Sequence, residues 1–153
     1  MRKFFVLLAP AVLLIIAGCS SGPNTSSDPR KVVLNMFRAI ENNDRSKLAH
    51  YLDFPALMTS TGSDYALSAM DTARTFSNPE SILDDLLPGG ETYEHWKNLQ
   101  KIVNKVVSQT QDSALVEVSF IDKQTSTQYY TLFGLDKVND IWKIYSFNVP
   151  SKK

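Results

Sequence analysis

Two histidines, one cysteine and a scatter of carboxylates are the side chains of this 153-residue chain that could carry acid–base, nucleophilic or metal chemistry. His50 and Asp53 stand three positions apart, so on a helix running through both they share a face, and the carboxylate would orient the imidazole for proton abstraction. The pair suits a helix end equally well, where a histidine complements the helix dipole and an aspartate opens the turn before Pro55. His95, between Glu94 and Trp96, reads as an exposed histidine beside an anchoring tryptophan. Glu80, Asp84, Asp85, Glu91 and Glu94 form an acidic stretch with no basic residue among them. The alternating oxygen-ligand spacing of a calcium loop is missing from it, so a solvated helix face is expected and no metal site. Its excess charge would suit a basic partner, with Arg30, Lys31, Arg38, Arg45 and Lys47 biasing the other end of the domain positive. No GxSxG elbow, HExxH pair, phosphate-binding glycine loop or dinucleotide fingerprint occurs. The expectation is therefore a protein without catalysis and without a cofactor, the pair His50 and Asp53 being the alternative as a catalytic site.

The single thiol, Cys19, closes an apolar run from Phe4 to Ala17 that follows Arg2 and Lys3 and is broken by Pro10. A charged start, about 14 apolar residues and a small-residue end read as a signal peptide; a membrane span needs roughly 20. Ile16-Ala17-Gly18-Cys19 resembles the lipobox of bacterial lipoproteins. That resemblance implies cleavage between Gly18 and Cys19, a diacylglyceryl thioether on Cys19 and usually acylation of the new amino group, enough lipid to hold a protein on a bilayer. Ser20 stands where an aspartate would signal inner-membrane retention, so analogy with Gram-negative sorting implies the outer membrane, facing the periplasm. Residues 1–18 are thus expected to be signal, and residues 19–27 a lipidated cysteine with a flexible Ser/Gly/Pro/Asn tether. Eight residues of tether reach about 28 Å at most.

Residues 28–150 are expected to form one domain. A composition of 43% hydrophobic and 21% charged residues supports a single core, and 16 basic against 16 acidic groups give no field favouring nucleic acid. Asp28-Pro29 is an N-cap followed by a proline at the first helical position, and Val32, Val33, Met36, Phe37 and Ile40 recur at helical spacing up to Asn42-Asn43-Asp44. A second short helix is expected over Ser46–Leu52, with interrupted helical segments from 59 to 100: one carrying Ala66 to Phe76, one starting at Asn78-Pro79 and ending at Pro88-Gly89-Gly90, and a turn or two around Tyr93, Trp96 and Leu99. The period then changes. Ile102–Thr110, Ala114–Asp122, Thr127–Lys137 and Ile141–Val149 read as strands, and connections of three or four residues join only antiparallel neighbours, giving a four-stranded meander. Gly134 inside the third strand marks a bulge or bend. Tyr129, Tyr130, Phe133, Trp142, Tyr145 and Phe147 belong mostly to the core, with Tyr130 and Trp142 the candidates for the wall of an apolar pocket.

Helices followed by a curved antiparallel sheet define an α+β domain. The stretches "DPRKVVLNMFRAIENNDRSKLAHYL", "DSALVEVSF" and "YYTLFGLDKVNDIWKIYSF" resemble the nuclear-transport-factor-two-like superfamily, in particular its branch of uncharacterised bacterial lipoprotein domains. The long segment 59–100 departs from the tightest members, which bears on the usual first strand. The resemblance implies a cone whose sheet wraps a helix and leaves a pocket at its open end. Some relatives are isomerases or dehydratases, some bind a ligand or partner, and many form homodimers. The sequence thus favours a membrane-anchored envelope module that binds a ligand or protein. The alternatives are a pocket enzyme acting on a small hydrophobic molecule and an inhibitor or immunity-type protein.

Overall fold

The computed structural model describes residues 27–59 and 76–147 of the chain. The lipobox, the helical stretch expected before Phe76 and the tail after Phe147 lie outside the described residues.

Helix α1, Pro29–Glu41, starts as its sequence dictates: the Asp28 carboxylate accepts the Arg30 N–H at 2.9 Å, and Pro29 occupies the first turn, where its missing N–H costs nothing. It buries Val32, Val33, Met36, Phe37 and Ile40 along one face and ends at Asn42, with Asn43 at a positive φ of 51° turning the chain. Helix α2, Arg45–Tyr51, is capped by Asp44. It stops one residue short of the expected end because Leu52 is extended and bridges to Ile144. Asp53 then caps a further helix, α3, Phe54–Thr59, which the proline at position 55 had concealed, since proline is as good a first-turn residue as it is a helix breaker. Asn78 caps α4, Pro79–Leu86, and Gly89, at φ 99°, and Gly90 lead into α5, Glu91–Trp96.

The strands β1 (Gln100–Gln109), β2 (Ser113–Asp122), β3 (Thr127–Val138) and β4 (Ile141–Ser146) form an antiparallel sheet in the order β1-β2-β3-β4. This is the α+β meander expected from the change of period. On β2 the residues Ala114, Val116, Val118 and Phe120 are buried under the helices, while Leu115, Glu117, Ser119 and Ile121 alternate on the other face. Register shifts between Val103 and Ser108 on β1, and at Gly134 against β4, bend the sheet. Glycine at this position has a steric reason: a Cβ there would lie 2.4 Å from the Tyr145 ring, which covers it.

The core is aromatic at its centre. Trp96 packs on Phe120 at a centroid distance of 5.2 Å, on Phe147 at 5.7 Å and on Phe37 at 5.8 Å, and Phe133 closes the group 5.2 Å from Phe147. These rings come from α1, α5, β2, β3 and the end of β4, so one cluster ties the helical layer to three parts of the sheet. Trp142 holds the beginning of the domain: its indole N–H donates to the Ser27 carbonyl at 3.2 Å, and the Lys137 ammonium lies 5.2 Å from its ring centre.

Candidate functional site

A cavity of about 170 Å³ opens where the last turns of α1 meet α5 and the start of β1. Phe37, Ile40, Tyr93 and Trp96 supply its apolar and aromatic wall, and Glu41, Lys97 and Lys101 supply its charges. The helical repeat puts Phe37, Ile40 and Glu41 on adjoining positions of one side of α1. On α5, the three-residue step from Tyr93 to Trp96 brings both rings to the same side.

Lys101 is the unusual member. It pairs in the sheet with Phe120, on the face covered by helices, and its side chain is only 16% exposed. Its ammonium donates one long hydrogen bond, 3.4 Å, to the Trp96 carbonyl and stands 3.6 Å from the Glu41 carboxylate. Among the described residues its three N–H donors have one long hydrogen bond and an ion pair with a carboxylate just out of hydrogen-bonding range. Lys97, by contrast, is 41% exposed and its ammonium is engaged by Glu94 one turn earlier. Within the lining, Lys101 is the cation with donors to spare.

The candidate dyad is arranged otherwise. Because α2 ends at Tyr51, His50 and Asp53 do not share a helical face. Asp53 receives the Ala56 N–H at 3.2 Å as the cap of α3, while its own N–H donates to the Ile144 carbonyl at 2.9 Å. The His50 ring packs edge-on against Tyr51, 5.6 Å between centres, and its Nε2 is buried with no hydrogen-bond partner among the described residues. Lys143 of β4 joins the two residues: its ammonium donates to the His50 carbonyl, one of the orphan acceptors at the C-terminus of α2. Burial, and then the Lys143 cation, hold the imidazole pKa below the usual histidine value, so the neutral ring is favoured. Burial likewise lowers the Lys143 pKa, with Asp53 opposing it. This geometry fastens α2 and α3 to β4 and does not build a base oriented by a carboxylate.

The remaining candidates are dispersed. Tyr130 is 64% exposed on the open sheet face and Trp142 is packed in the core, so neither contributes to the cavity lining. His95 is exposed in the last turn of α5. The acidic stretch is largely engaged within the domain: Arg45 reaches across from α2 to Glu80 at 2.5 Å and Asp84 at 2.7 Å, Asp85 accepts the Thr92 N–H at 3.2 Å, and Glu94 holds Lys97. Arg45 thus meets the carboxylates it was expected to oppose from the other end. Among the described residues no group of three or more His, Cys, Asp or Glu would hold a metal ion, and no helix is long and apolar enough to cross a membrane.

Lys97 and Lys101 escaped the sequence reading. The signal for Lys101 was available: it shares strand parity with Val103, so a strand starting at Gln100 instead of Ile102 puts a lysine on the core-facing side. Comparisons with protein-family models, with curated proteins and with solved structures found no match.

Proposed function

We propose that this chain is a lipoprotein of the cell envelope, held through a lipidated Cys19 after cleavage at Gly18, and that it acts as a non-catalytic module binding a small hydrophobic molecule. In this reading the α+β domain is a nuclear-transport-factor-two-like cone, and the membrane is the outer one, facing the periplasm. The observation that carries the binding half is the cavity, a half-open recess in which four apolar residues stand beside three charged ones. The anchor half rests on Ile16-Ala17-Gly18-Cys19.

The placement of the cavity supports joining the two halves. The chain enters at Ser27, fastened to Trp142 beside the β3–β4 turn, whereas the cavity takes Phe37, Ile40 and Glu41 from the far end of α1. Thirteen helical residues separate these ends by about 20 Å. A tether reaching about 28 Å exceeds that separation, so it leaves room for the cavity to face the aqueous side.

Membrane fractionation of wild type and Cys19→Ser tests the anchor: the variant should become soluble, and its retention in the membrane would overturn that half. Native mass spectrometry of protein purified from its own membranes tests the binding half. A bound small molecule is expected, and its loss on Ile40→Trp, which fills the cavity, would place it there. Bare protein, or a molecule retained by the variant, would overturn it.

A second reading follows from the open sheet face, where Ile102 and Tyr130 flank Ser119 on neighbouring strands and are 37% and 64% exposed. Two copies packing by this face would form the homodimer implied by the family resemblance. Sedimentation equilibrium of wild type and Tyr130→Glu separates a dimer lost on substitution from a monomer throughout.

A further inference from the structure

The cavity carries information about the charge of its occupant. Phe37, Ile40, Tyr93 and Trp96 line the apolar side of a half-open volume of about 170 Å³, close in size to the ~150 Å³ of an apolar cavity that accepts benzene. That volume fits one six-membered ring or a short branched chain. At the edge of this wall the Lys101 ammonium lies between two other lining residues, Glu41 and Trp96, with a 3.4 Å contact to one and 3.6 Å to the other. A lysine whose side chain is only 16% exposed normally offers its ammonium to close acceptors, because its three N–H donors are costly to leave without them. Lys97 cannot serve in the same way, since Glu94 already holds it.

We propose that Lys101 anchors the acidic group of a small monoanionic ligand, an aromatic or branched aliphatic carboxylate, whose apolar body lies against Phe37, Ile40, Tyr93 and Trp96. A ligand carboxylate would supply the short acceptors that Glu41 and the Trp96 carbonyl do not, in a charge-assisted geometry. Glu41 competes for the same ammonium from an exposed side chain and repels the ligand, which makes it a negative determinant of affinity. The inference rests on the cavity-binding reading and adds the sign and the anchor of the ligand.

The test uses the full chain in lipid nanodiscs, titrated with phenylacetate and with phenylacetamide, its neutral isostere, and followed by NMR shifts at residues 37, 93, 96 and 101. Phenylacetate should give saturable shifts confined to these residues and bind about tenfold more tightly than the amide, the scale of one charge-assisted hydrogen bond. Lys101→Met should abolish the preference while leaving amide binding in place, Lys101→Arg should keep it, and Glu41→Gln should tighten phenylacetate alone. Amide shifts confined to the same residues in Lys101→Met also establish that the variant is folded. Equal affinity of wild type for acid and amide, or a preference that survives Lys101→Met, would overturn the anchor and leave the cavity reading intact. No saturable shift with either compound would overturn the cavity reading itself.

Discussion

Lys101 enters the sheet directly opposite Phe120, on the face covered by helices, and its ammonium comes to rest 3.6 Å from the Glu41 carboxylate at the end of α1. A lysine at a core-facing strand position thereby joins Glu41 and Lys97 as a charged element of a cavity that Phe37, Ile40, Tyr93 and Trp96 line on its apolar side. Phe120, its partner across the strands, packs on Trp96, which in turn packs on Phe37.

Phe37 serves both core and cavity, so its removal should affect both. Phe37→Ala is expected to cost about 3–5 kcal/mol, the range for deleting a buried phenylalanine, read as a lowered midpoint of urea unfolding with an unchanged slope. A cost below about 1 kcal/mol would mean that the ring cluster does not hold α1 to the sheet.

Two glycines are required by space and should respond differently to a methyl group. At Gly90 an added Cβ would lie 2.2 Å from the backbone oxygens of Asp84 and Asp85, which cannot move without unwinding α4. At Gly134 the three atoms nearest to it all belong to the Tyr145 side chain. Gly134→Ala should cost about 1–3 kcal/mol, in the range of overpacking, and much of that cost should vanish in the Tyr145→Ala background. Gly90→Ala should cost more and find no such rescue. Thermal unfolding of the singles and the double gives the coupling.

The β3–β4 connection places both of its central residues, Asn139 and Asp140, at positive φ, 53° and 63°. This is the two-residue turn that matches the twist of a hairpin, and it strains a side chain at each position. Asp140→Gly should therefore stabilise the fold by about 0.5–1 kcal/mol, visible as a higher unfolding midpoint. A lower midpoint would show that the aspartate side chain outweighs the backbone strain.

His50 should make stability depend on pH. Its folded pKa is depressed, first by burial and then by Lys143, so between the ordinary histidine value near 6.5 and that lower value the unfolded chain binds more protons than the native one. Stability should consequently fall as pH drops through this window and recover as it rises. Lys143 is the charged group that acts on the ring, and Asp53 acts in turn on Lys143. Urea unfolding at pH 7.5 and 5 should show a loss for wild type that is smaller in His50→Phe, and an equal loss in both would remove His50 as the cause.

The acidic face of α4 should prove structural. Arg45 spans Glu80 and Asp84, which sit one helical turn apart, and this exposed ion network raises the Arg45 pKa. Arg45→Ala should lower the unfolding midpoint slightly in dilute buffer and not at all in 1 M salt, where such pairs are screened. A loss that persists at high salt would point to packing of the arginine stem instead.

Most of the architecture was legible in the residues themselves. Asp28-Pro29 and Asn78-Pro79 announce helix starts because an aspartate or asparagine accepts the free N–H groups there, and proline has none to waste; these are local effects and survive folding unchanged. The alternation of Ala114, Val116, Val118 and Phe120 fixes which face of β2 is buried for the same reason. The tertiary structure decided whatever depends on residues distant in the chain. It placed Trp142 on the start of the domain and Tyr130 in solvent, made Asp53 a cap and Lys143 a clamp on the end of α2, and matched Arg45 with the carboxylates of α4. It also brought Glu41, Tyr93 and Lys101 around one cavity. Spacing within a segment is set by backbone geometry, but the neighbours of a side chain are set by how helices and sheet pack, and a charge such as that of Lys101 acquires its meaning only from those neighbours.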